Sequence, residues 1–196
     1  MTRLCLPGGV WGLALLMLVA GCAGGPPARI YLLGHPPNPE PGVSAQSMRP
    51  VMRLLPVLVP DYLDTEDILL RGGQNEVKAS PTGRWAERLS VGLTHALAAA
   101  LASRLPAAAI VVNRPIEPPA RQILVDVESF EIRADGQCLM IGMWTIASGD
   151  GGRVLRSERD TFVEQAADSS DAAVAAAITR AIDRLADRIA AGQTKP

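Results

Sequence analysis

The chain has 196 residues, a net charge of −1 and 48% hydrophobic residues. Once targeting segments are set aside, that length is enough for one domain with one core. A near-neutral balance removes the electrostatic reason to expect a nucleic acid as partner, and with 4% aromatic residues the core must rest on Leu, Ile, Val and Ala.

In chain order the first expected element is a targeting segment. Arg3 gives a positive start, and Val10 to Val19 is apolar almost throughout. As a helix those ten residues would reach only ~15 Å, against a hydrocarbon core of ~30 Å, so they suit a signal peptide rather than a membrane span. The run ends at Val19-Ala20-Gly21-Cys22. Small residues before the cut and a cysteine after it resemble the bacterial lipobox. The expectation is a signal peptide over residues 1–21, a lipid-carrying Cys22 and an acylated tether over 22–28. Two or more acyl chains anchor a protein stably. Residue 23 is alanine and not the aspartate that often retains a lipoprotein at the inner membrane, so the expected location is the outer membrane, facing the periplasm. Of the cysteines, Cys5 leaves with the signal and Cys22 carries lipid. Cys138 is left as a free thiol, expected in the core.

The domain is expected over residues 29–192, with 193–196 as a tail. A short strand at Arg29–Leu33 precedes a loop over 34–50 that holds five prolines. Val51 to Val59 is apolar but interrupted by Pro56 and closed by Pro60, which predicts an edge strand or a bulged one. Ile68–Arg71 and Glu76–Ala79, joined by Gly72-Gly73-Gln74-Asn75, read as a hairpin. Trp85, Leu89, Leu93, Leu97, Leu101 and Leu105 recur every four residues, predicting a helix over 82–105 between Pro81 and Pro106. A strand at 109–113 follows.

Next comes an expected antiparallel meander. Ile123, Val125 and Val127 share a face, then the apolar phase moves to Phe130 and Ile132, so a bulge is expected near Ser129. Asp135-Gly136 makes the turn. Residues 139–147 are apolar on both faces and should be central, while 154–163 is a more polar third strand. The last element is a helix over 170–191. Val174, Ile178, Ile182, Leu185 and Ile189 form its stripe, Gly192 is the expected C-cap, and Arg180, Asp183, Arg184, Asp187 and Arg188 lie on its outer face. Within that face attractive and repulsive charge spacings offset one another. The expected fold is α+β: a mostly antiparallel sheet with two amphipathic helices packed on one face.

Catalytic signatures are sparse. His35 lies in the proline-rich loop and His95 beside the leucine stripe, and neither belongs to an HExxH or Cys/His pattern. There is no GxSxG, Walker A or GxGxxG motif. Asp126 and Glu128 share a strand face, which a solvated sheet surface explains. Gly72-Gly73 precedes no helix and reads as a turn. No metal or other cofactor is expected, and no residue recommends itself as a catalyst.

Three segments carry the best clue to function. They are Val57-Leu58-Val59-Pro60-Asp61-Tyr62-Leu63-Asp64, then Ile68 and Arg71, then Arg84-Trp85-Ala86-Glu87-Arg88-Leu89. With Tyr31-Leu32-Leu33, the alanine-rich last helix and the lipobox, they resemble the ABC-type transport auxiliary lipoprotein family, the lipoprotein component of Pqi-type systems that work with mammalian-cell-entry (MCE) proteins. Arg88 departs from the family, which often has proline there and hence a helix starting a few residues later. The resemblance implies an outer-membrane lipoprotein that docks on an MCE-domain protein and associated inner-membrane transport components, with homo-oligomers possible.

Pro60, Asp61, Tyr62 and Leu63 are the candidate contact residues, because proline would hold them on a rigid loop. A plain strand-ending turn is the alternative for that segment, and core packing is the alternative for Trp85. Two other readings compete with an anchored structural and partner-binding subunit: a lipoprotein that itself binds a lipid or other hydrophobic ligand, and an unrecognised envelope enzyme.

Overall fold

The computed structural model describes residues 27–36, 49–113, 115 and 117–193. The expected signal peptide, Cys22, most of the tether, part of the proline-rich loop and residues 194–196 lie outside the described residues. The elements in chain order are β1 (Arg29–Tyr31), β2 (Val51–Leu54), a single 3-10 turn (Asp61–Leu63), β3 (Asp67–Arg71), β4 (Val77–Trp85), α1 (Leu89–Arg104), β5 (Ala109–Val111), β6 (Arg121–Ile132), β7 (Gln137–Ser148), β8 (Val154–Gln165) and α2 (Asp171–Gln193).

The α+β class and the two helices are as expected, and the long strand pairs are antiparallel. The strands nevertheless form two sheets rather than one, in the orders β1-β4-β3 and β5-β2-β6-β7-β8. The pairs β1–β4, β2–β5 and β2–β6 are parallel. A hairpin cannot join parallel neighbours, so each needs a crossover. The crossover from β2 to β5 passes through β3 and β4 of the smaller sheet and then α1. β2 is therefore internal, where the prolines suggested an edge. Its regular part stops at Leu54, before Pro56, so the missing N–H of that proline breaks no ladder. The chain rejoins β6 afterwards, with Leu58 N–H donating to Val125 O at 3.0 Å and Val127 N–H to Leu58 O at 2.8 Å.

The meander follows its sequence pattern. Ile123, Val125 and Val127 are buried, the register shifts between Val127 and Ser129, and burial resumes at Phe130 and Ile132. Gly136 takes φ +79° in the hairpin turn, a conformation that favours glycine. β7 lies between β6 and β8 and buries Cys138, Met140, Trp144 and Ile146 against the helices.

Three expectations are corrected at the helices. α1 begins at Leu89, not near 82, because residues 77–85 form β4. Trp85 ends that strand, and its four-residue spacing from Leu89 only mimics a continued helical stripe. Pro81 fits inside β4 because the β3–β4 register jumps from Leu69↔Ala79 to Asp67↔Arg84, which leaves it in the irregular stretch between the two ladders. Gly192 is not a cap but lies within α2 and packs on the ring of Trp144.

The arginines of α2 do not pair along their own helix. Arg180 and Arg184 reach Glu164 of β8 at 3.2 and 2.9 Å, and Arg188 reaches Glu158 and Asp160 at 2.9 and 3.2 Å. Asp183 and Asp187 instead meet Arg104 of α1. Charge thus joins elements rather than turns of one helix.

Candidate functional site

The segment between β2 and β3 is pinned at both ends before it reaches the surface. Thr94 of α1 accepts the Val57 N–H at 2.9 Å and donates to Ser90 O at 2.7 Å, so Val57 is held against the helix while Leu58 turns outward. Pro60 has φ −55°, and its carbonyl accepts the Leu63 N–H at 2.8 Å, closing the 3-10 turn. Leu63 then inserts into the core at 3% exposure, whereas Tyr62 is 57% exposed.

The end of the turn also caps α1. Arg88, the helix N-cap, offers no side-chain bond to the helix. In its place Asp64 accepts the Ser90 N–H at 3.0 Å and faces Arg88 at 3.3 Å, while the Leu89 N–H donates to Thr65 O at 3.2 Å. Burial pushes the Asp64 carboxyl up, but the bonds from Ser90 and the charge of Arg88 outweigh it, so the group sits below its ordinary value. The Arg88 φ of −54° is one that proline adopts, so a proline at this position would fit the backbone.

Of the four candidate contact residues, Asp61 and Tyr62 are exposed and Pro60 is half-buried. Leu63 cannot serve as a contact residue because its side chain belongs to the core. Sequence reasoning missed Leu58, which is 63% exposed. Inside an apolar run nothing marks which residue points outward until the strand's neighbours are known. Leu58 bridges to Asp126, Asp126 pairs with Met143 and Met143 with Arg159, so Leu58 heads a row across the open face of the larger sheet. Met143 and Leu124 on that face are also exposed. The result is a projecting tyrosine followed by a partly apolar sheet surface, an arrangement suited to contact with another molecule.

His35, His95 and Glu128 are each held in an ion pair. His35 meets Asp183 at 2.8 Å and His95 meets Glu87 at 3.1 Å. Asp126 is exposed and Glu128 pairs with Arg159 at 2.8 Å. Cys138 is buried, and desolvation pushes its thiol up to about 11, away from the reactive thiolate. Among the described residues no group of three His, Cys, Asp or Glu could hold a metal ion. No described helix is long and apolar enough to cross a membrane.

Comparison with known proteins adds four findings. A family model described as the ABC-type transport auxiliary lipoprotein component matches residues 31–190. The fold is similar to that of an uncharacterised protein of known crystal structure, with a TM-score of 0.71 and 18% identity over 85% of this chain and 99% of the other. It is also similar to protein XCC0632 from Xanthomonas campestris, with a TM-score of 0.62 and 16% identity over 84% of this chain and 93% of that one. No curated protein matches the sequence.

Proposed function

Because the chain belongs to the ABC-type transport auxiliary lipoprotein family, we propose that it is the membrane-anchored subunit of an MCE-type intermembrane lipid-transport system, acting as a structural and partner-binding component. Cys22 carries the lipid, and the domain stands in the periplasm on the outer membrane. From there it meets an MCE-domain protein linked to inner-membrane transport components, and self-association would strengthen a weak individual contact.

The observation that carries this reading is Tyr62: more than half exposed, yet standing on a turn fixed by Pro60, by the buried Leu63 and by the Asp64 cap. A preordered aromatic loses little conformational entropy on binding. The test is a pull-down of the MCE-domain partner with Tyr62→Ala, which spares the core residue beside it. Capture should weaken while thermal melting stays unchanged. Wild-type capture by the folded variant would reject this surface. Separately, Cys22→Ser should leave an unlipidated chain that no longer fractionates with the outer membrane. An unmodified Cys22 in the native mature protein, read by mass spectrometry, would reject the anchor.

A further inference from the structure

A cleft of about 310 Å³ opens where the β3–β4 hairpin, the β6–β7 turn and the start of α2 converge. Its floor is formed by Ile132 and Val174, both part of the buried face of the domain, and its walls by Leu70, Ala79 and Pro81. Cations stand around it: Arg71, Lys78 and Arg133 all line the opening. Their ion-pair partners are not among the lining residues. Glu131 alone serves both Arg71, at 2.7 Å, and Arg133, at 3.5 Å, while Lys78 meets Glu76 at 3.2 Å. The lining itself thus holds three cations and no acid around an apolar floor.

We propose that this cleft binds a single-chain anionic amphiphile, with the alkyl chain on Ile132, Val174 and Leu70 and the acidic head between Lys78 and Arg133. The volume lies at the lower end of small-molecule sites, about 300–1,000 Å³, and so suits one chain rather than two. The apolar floor takes the chain out of water. The head meets cations that share a carboxylate and can turn toward it, since Lys78 is 65% and Arg133 45% exposed at the side chain. This site borders the Tyr62 surface at Arg71 but does not rest on it. It differs from a lipid site in the helix–sheet interior, which core side chains fill.

The test uses the full chain in membranes, labelled with a diazirine-bearing palmitate, irradiated and mapped by mass spectrometry. Label should fall on residues 70–81 and 132–136 and be competed by palmitate but not by the neutral dodecyl maltoside. Ala79→Trp fills the cleft from an exposed position and should abolish the label. The double variant Lys78→Gln with Arg133→Gln should weaken competition by palmitate by up to about tenfold, as expected for two partly exposed charges. Arg71 is left intact because it also lies beside Tyr62. Label elsewhere, label that survives in the folded Ala79→Trp chain, or equal competition by dodecyl maltoside would overturn the proposal. Partner capture should be unchanged in all these variants, so failure here and failure of the Tyr62 surface are told apart.

Discussion

Two aromatic positions show how much depends on what a side chain touches. Trp85 is 4% exposed at the end of β4, and its backbone N–H donates to Glu66 O at 2.7 Å. Trp85→Ala should therefore lower stability by about 3–5 kcal/mol, read from denaturant unfolding. An unchanged midpoint would remove the ring from the core. Trp144 is fully buried and fixed through Nε1, which donates to Asp160 at 2.8 Å. A Cβ on Gly192 would come within 2.7 Å of its ring and 3.2 Å of the Arg156 side chain. Alanine normally gains about 1 kcal/mol over glycine inside a helix, but overpacking a rigid neighbour costs about 1–3 kcal/mol. The second effect should win, so Gly192→Ala is expected to lower the melting temperature. A rise would mean that the Trp144 ring can move aside.

Among the elements, α1 is unusual in taking its cap from outside its own sequence neighbourhood. Asp64 stands in for the missing N-cap side chain, so the turn that presents Tyr62 and the start of the helix are one unit. Loss of such a cap costs about 0.5–2 kcal/mol. The Asp64 pKa is lowered in the fold, so its contribution is complete above the unfolded value of about 3.9 and fades as pH falls through the lower folded value. Asp64→Asn should therefore be less stable than wild type at pH 7, with the two converging at strongly acidic pH. A stability gap of the same size at both pH values would show that Asp64 acts by shape and not by charge.

Across the whole molecule, the helices are tied to the larger sheet by apolar burial inside and a charge lattice outside. Glu164 is the most shielded acid of that lattice, with 14% side-chain exposure, and it serves two arginines that are about half exposed. Arg184 also stacks over Phe162 at 5.6 Å. Partly exposed pairs contribute about 0.2–1 kcal/mol each, and salt screens them. Glu164→Gln should cost about 1 kcal/mol in low salt and less in 1 M salt, measured by urea unfolding. A loss independent of salt would assign Glu164 a hydrogen-bonding role instead of a Coulombic one.

Local pattern by itself determined the meander, its bulge at Ser129, the Asp135-Gly136 turn, the central place of β7 and the buried stripe of α2. These depend on periods of 2 and 3.6 residues and on turn chemistry, which need no distant partner. The family match was likewise legible in short segments around Pro60 and Trp85. Only the tertiary structure decided the rest. Division into two sheets arises from parallel pairs between strands far apart in sequence. The start of α1 was hidden because Trp85 on a strand keeps the spacing of a helix. The surface carries Tyr62 and Leu58 but not Leu63, because burial of one residue in an apolar run is set by which neighbours pack over it. The arginines of α2 face β8 for the same reason: a charged helix face reads as solvated until the sheet beside it brings Glu158, Asp160 and Glu164 within reach.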